Sequence, residues 1–148
     1  METADKILGS IVINEETAQD IMSSVKNVAS FGKKVTDSAA QSTTSILDSV
    51  FAGAITLNGS DIHLEPQKDD ARLRIRIDGA LQDVTNLNTA VYHNVLSRIK
   101  LLSKLKLNID QVPQDGRFTV SMNNAFVEIR TSSLPAEYGE SIVMRILN

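Results

Sequence analysis

From residue 60 onward, apolar side chains return at every second position, and that alternation constrains the fold more than any other feature of this chain. DIHLEP (61–66) and RLRIRID (72–78) alternate without a break, with QKDD between them as turn material. Residues two apart share one face of a strand, so this period means a half-buried sheet. With Pro66 to Ala71 as the connection, Glu65 stands opposite Arg72, His63 opposite Arg74 and Asp61 opposite Arg76. Ile62, Leu64, Leu73, Ile75 and Ile77 then form the apolar face. The charged face becomes a set of cross-strand ion pairs, each worth at most about 1 kcal/mol. On this reading Arg72, Arg74 and Arg76 are a solvated, salt-bridged surface, and His63 is a structural hydrogen-bonder.

RFTVSM (117–122) and AFVEIRT (125–131) are joined by Asn123-Asn124, a dipeptide suited to a tight primed turn. A two-residue loop sets Met122 opposite Ala125, Val120 opposite Val127 and Phe118 opposite Ile129. A slip of one residue would turn this whole apolar set to solvent, so the register is well specified. The same register puts Arg117 opposite Arg130. Like charges facing each other across two strands are destabilising unless something answers them. Glu128, one step along the same face, answers them in part. A bound polyanion does so better, because guanidinium forks hold phosphate oxygens bidentately. Phosphate contact is therefore the expectation for Arg117 and Arg130. The turn segments PQDG (113–116), with Asp115 just before Arg117, and PAEYGE (135–140), which would deliver Glu140 to the same edge, are of the kind that aims such a pair. A last strand, SIVMRIL (141–147), carries Arg145.

The first 41 residues read as a helical appendage and linker, either poorly ordered or docked through a partner. Asn14 caps a helix beginning EETAQDIM, with acids in its first turn where the helix dipole favours them. Ile21, Val25 and Val28 give it a narrow apolar stripe, and Gly32 with Lys33 and Lys34 ends it. TDSAAQSTTS (36–45) is linker-like. A second helix, ILDSVFAGAITL, follows a cap among Thr43 to Ser45; Ile46, Val50, Ala54 and Leu57 share one face, and Asn58-Gly59 is a left-handed stop. LQDVTN is a short strand or turn. The longest helix starts at Asn88 or Thr89 and runs to about Leu107, with Val91, Val95, Ile99, Leu102 and Leu105 inward and Arg98, Lys100, Lys104 and Lys106 in water.

Composition narrows the function. There is no cysteine and there are only two histidines, far apart, so no metal site is expected. No apolar run approaches the roughly 18 residues a membrane span needs, and METADKILGS is not a signal peptide, so the chain reads as cytoplasmic. Residues 1–59 hold four lysines, seven acids and no arginine; residues 60–148 hold all seven arginines. A net charge of -3 makes general nucleic-acid binding a poor fit. Arginine confined to one region suits local recognition of anions. An RNA-binding sheet would need aromatics among Arg72, Arg74 and Arg76, and none alternates with them.

In order, SDIHLEP (60–66), RLRIRIDG (72–79), SRIKLLSKL (97–105), PQDGRFTV (113–120) and VEIRTSSLPAEYGESIVMRIL (127–147) resemble the domain that precedes the motor in type II secretion and type IV pilus assembly ATPases. The resemblance covers residues 60–147 and implies a mixed α/β, α+β domain of PAS-like outline, an antiparallel sheet packed with a long helix and preceded by N-terminal helices. It implies residues 42–148 as the pre-motor domain, with a P-loop ATPase domain following residue 148. It also implies that Arg117, of the DGR motif, and Arg130, of the IRTS motif, reach the phosphates of a nucleotide; Asp115, Glu140, Arg145 and His63 are the candidate interdomain supports beside them. ATP and Mg are implied for the longer parent and neither for this stretch alone. The implied partners are the chain's own ATPase domain, neighbouring subunits of a hexamer and inner-membrane platform proteins, with the chain peripheral at the inner membrane. The sequence departs from the family in having no G-x-x-x-x-G-K-[ST], since GKK (32–34) lacks the earlier glycine; it also has no Walker B acids and no tetracysteine zinc site. It has Glu128 where relatives carry aspartate, and Asn58-Gly59-Ser60 where Gly-Ala-Ser is usual. A free-standing PAS-like sensor of a small ligand is the alternative, without a visible cofactor anchor.

Overall fold

The computed structural model describes residues 9–147. Its elements run β1 (Ser10–Val12), α1 (Glu15–Ser24), α2 (Val28–Ala39), α3 (Thr43–Thr56), β2 (Asp61–Pro66), β3 (Asp70–Ile77), β4 (Ala80–Asn88), α4 (Thr89–Leu102), β5 (Gln114–Met122), β6 (Ala125–Ala136) and β7 (Gly139–Leu147). The strands form one sheet in the order β1-β5-β6-β7-β2-β3-β4. Every pairing is antiparallel except β1 with β5. This is the mixed α+β architecture expected, a largely antiparallel sheet carrying helices on one face.

Both hairpins hold the register their alternation dictates. Asp61, His63 and Glu65 face Arg76, Arg74 and Arg72, and the pairing extends to Pro66 with Ala71. Asn123 and Asn124 both take positive φ, 53° and 62°, and Arg117 faces Arg130. Phe118, Val120, Ile129, Ile142, Met144, Ile62, Leu64, Leu73 and Ile75 are buried on the inward face, under α3 and α4. The space between sheet and helices is therefore filled with side chains.

The N-terminal region differs from expectation. Residues 1–8 lie outside the described residues, but Ile13, Ala18, Ile21, Val25, Phe31 and Val35 all join the same core as the sheet. Residues 9–41 are thus packed against the rest of the molecule and are not an appendage. The single expected helix is two: α1 stops at Ser24, and Asn27 starts α2 with a reciprocal capping box to Ser30. Gly32 does not end a helix. It lies inside α2, where a Cβ would stand 2.3 Å from the Val84 carbonyl oxygen of β4. Thr36 to Ala39 are helical, not linker, and α3 is capped by Ser42, one residue before the expected range. Asn58 takes the left-handed conformation expected of it, at φ 58°.

Two more boundaries moved. LQDVTN belongs to the nine-residue edge strand β4. The helix from Asn88 ends at Leu102 and not near Leu107, and at 14 residues it equals α3 in length. Its end is a Schellman motif, with Leu105 N–H donating to the Lys100 carbonyl at 2.8 Å and Lys104 N–H to that of Leu101 at 3.1 Å. Lys104 occupies the left-handed position at φ 62°, a place usually given to glycine.

Candidate functional site

Six of the seven arginines lie on the open face of the sheet, because the registers carry Arg72, Arg74, Arg76, Arg117, Arg130 and Arg145 to one side. One row crosses five strands: Arg117 on β5, Arg130 on β6, Arg145 on β7, Asp61 on β2 and Arg76 on β3. Neighbouring strands stand about 4.8 Å apart, so the three arginines span roughly 10 Å of backbone.

The two ends of the row differ in how their charge is answered. Asp61 gives its carboxylate to Arg76 Nε at 3.2 Å, to the Ser60 hydroxyl at 2.8 Å and to His63 Nε2 at 2.6 Å. Burial alone would raise the Asp61 pKa, but those hydrogen bonds and the Arg76 charge hold it below the usual carboxylate range. Arg72 pairs with Glu65 at 3.3 Å, and Arg74 with Asp83 at 2.8 Å. His63 thus bonds to Asp61 on its own strand and not to Arg74, which faces it. At the other end Arg130 Nε meets Glu128, at 3.0 Å and largely in water. Among the described residues neither Arg117 nor Arg145 forms an ion pair. Arg117 lines an open cleft of about 630 Å³ with Gly9, Ser103, Lys104, Asp115 and Gly116.

Of the expected supports, Asp115 is close by and accepts a hydrogen bond from Ser132 at 2.8 Å. Arg145 is a full member of the row. Glu140 is elsewhere: it faces inward, 7% exposed, with its carboxylate oxygens 2.8 and 3.0 Å from Lys100 Nζ. Lys100, expected in water, is 1% exposed. Burying a charge without a partner is costly, and each of these two is the other's partner. Tyr92 donates its hydroxyl proton to the Glu140 carbonyl, and burial, aided by the Glu140 charge, pushes the phenol pKa well above its ordinary range. The sequence did carry a signal for this. Glu140 is in phase with the inward Ile142, Met144 and Ile146, and Arg145 is out of phase with them.

The fold is thus a mixed α+β domain with an arginine row on the open face of its sheet. The model of the family described as Type II/IV secretion system protein matches residues 36–148, and the chain belongs to that family. It is 40% identical over 101 residues to the protein transport protein HofB homolog of Haemophilus influenzae, a match covering 68% of this chain and 22% of that one. It is 38% identical over 111 residues to the type IV pilus assembly ATPase PilB of Thermus thermophilus, covering 75% and 12%. With the type II secretion system protein E of Dickeya dadantii it shares 34% over 103 residues, covering 70% and 21%. The chain therefore spans between about an eighth and a fifth of the length of these relatives. Among the described residues no helix is long and apolar enough to cross a membrane.

Proposed function

We propose that this stretch is the accessory domain of a motor ATPase for type IV pilus assembly or type II secretion, and that its arginine row faces the phosphates of the nucleotide. What carries the reading is the register that lines up Arg117, Arg130 and Arg145 across three strands with one carboxylate, Glu128, bonded among them. Two of the relatives bear the names of such machines, one of these is named an ATPase, and a third is named a protein transport protein. In this reading the domain closes on a P-loop ATPase domain, supplies positive charge where the phosphates carry most negative charge, and moves as a rigid body between subunits of a hexamer. Inner-membrane platform proteins are the further partners. The row fits phosphate oxygens. Among the described residues no group of three or more Asp, Glu or His could hold a metal ion by itself. With no phosphate loop in its sequence, the purified chain should not hydrolyse ATP.

Titration of the chain with inorganic tripolyphosphate, followed by amide NMR shifts, tests the assignment. Shifts should centre on residues 115–119, 128–132 and 143–147, weaken with salt, and need severalfold more ligand in Arg117→Ala and Arg130→Ala. Shifts centred on β2 and β3, or alanine variants that bind as the parent does, would overturn it.

A further inference from the structure

The three arginines are not held equally. Arg130 lies on β6, between β5 and β7, and Arg145 on β7, between β6 and β2. Arg117 lies on β5, whose outer neighbour β1 pairs only from Thr119 onward. Among the described residues no outer strand pairs with Gln114 to Phe118, and Ser103 and Lys104, at the end of α4, line the cleft there with Arg117. A Cβ on Gly116 would come within 2.3 Å of the Ser103 carbonyl oxygen, so β5 is pressed onto that helix end. The placement of Arg117 therefore depends on the irregular segment 103–113 that links α4 to β5.

That segment is fastened from inside. Besides the two Glu140 oxygens, Lys100 Nζ donates to the carbonyl of Ile109 at 2.9 Å and lies 3.4 Å from that of Leu107. Gln114 grips the same segment from the other side. Its amide donates to the carbonyls of Lys106 at 3.0 Å and Ile109 at 3.1 Å, and its Oε1 accepts from Lys106 N–H at 2.9 Å. An apolar pair at 100 and 140 could fill the same space but could not hold carbonyl oxygens. We infer that Lys100 and Glu140 are a positioning pair for Arg117, fixing the α4–β5 segment so that the third guanidinium stands in line with Arg130 and Arg145. This inference rests on the phosphate reading above only for what the row binds.

The experiment compares the parent chain with Lys100→Met/Glu140→Leu and with Gln114→Ala, each with and without Arg117→Ala. Three quantities are read: hydrogen exchange of residues 105–113, the Arg117 Nε–Hε NMR signal, and the dissociation constant for inorganic tripolyphosphate. The double apolar variant should exchange about tenfold faster or more in 105–113 and move the Arg117 signal toward its random-coil position. It should also lose about as much affinity as Arg117→Ala does, with no further loss when the two are combined. Gln114→Ala, half-buried and free of the core, should shift the same quantities in the same direction by less, and decides the matter if the apolar variant does not fold. Unchanged protection and an unmoved Arg117 signal would overturn the inference, as would a loss of affinity that adds to that of Arg117→Ala. If the parent chain shows no affinity for tripolyphosphate, the phosphate reading fails. Exchange and the Arg117 signal then still decide whether the pair positions this residue.

Discussion

The β2–β3 hairpin and the β5–β6–β7 meander carry three arginines each on the same face of the same sheet, yet one half is neutralised internally and the other is not. On β2–β3, Asp61, Glu65 and the neighbouring Asp83 answer Arg76, Arg72 and Arg74 within the domain. On β5–β7, Glu128 bonds Arg130 while Arg117 and Arg145 have no ion-pair partner among the described residues. A sheet that needs its charges for stability has the first pattern. The second leaves repulsion standing across three strands, which costs stability and makes sense where another molecule supplies the counter-charge. Composition alone hides this, since both halves are equally rich in arginine.

The comparison can be broken most forcefully at the buried pair beneath it. Lys100→Ala leaves Glu140 charged and without its partner in the interior, so the domain should lose about 3–5 kcal/mol, seen as a large fall in the urea midpoint. A loss below about 1 kcal/mol would mean that Glu140 is reached by water.

On the neutralised half, Asp61→Asn should cost about 1–2 kcal/mol, the worth of partly exposed charge-assisted hydrogen bonds. Because the folded-state pKa of Asp61 is depressed, its contribution is present above the ordinary carboxylate pKa and fades as pH falls through the lowered folded value. The gap in melting temperature between parent and Asp61→Asn should thus be full at pH 7 and close toward pH 2. A gap independent of pH would show that the carboxylate charge is not what matters. Arg74→Gln, which loses the pairing with Asp83, should cost no more than about 1 kcal/mol. It should leave tripolyphosphate binding unchanged.

Much of this half-and-half pattern was legible in the sequence. Alternation fixes which residues share a face, and Asn123-Asn124 fixes loop length, so the Arg117–Arg130 pairing needed no structure. What stayed hidden depended on partners far along the chain or on weak local signals. Lys100 looks solvated because its partner is 40 residues away. The break at Val25 to Asn27 was masked by a stripe of Ile21, Val25 and Val28 that runs across it, although Asn27 with Ser30 marks the cap. The end of α4 carries no glycine or asparagine to announce it, since Lys104 takes the left-handed turn. β1 is three residues long and pairs in parallel with a strand more than 100 residues away, too short and too distant for any periodicity to reveal.

The smallest expected effect is the most discriminating. Arg117→Ala or Arg130→Ala removes one of two like charges facing each other across β5 and β6. Either isolated variant should be as stable as the parent or more stable by a few tenths of a kcal/mol, on the scale of cross-strand pairs. Arg117→Ala is the cleaner case, because Arg130 also gives up its bond to Glu128 when replaced. Low salt should widen the gain and high salt erase it, since repulsion between exposed charges is screened over about 10 Å at 0.1 M. If these arginines served the domain's own stability, the sign would reverse, and the alanine variants would melt a few degrees early, as roughly 1 kcal/mol implies for a domain of this size. Thermal melts at two salt concentrations, set beside tripolyphosphate titrations of the same samples, tell these outcomes apart. A row kept for a ligand gives stability gained and affinity lost in one protein, and a row kept for the fold loses both together.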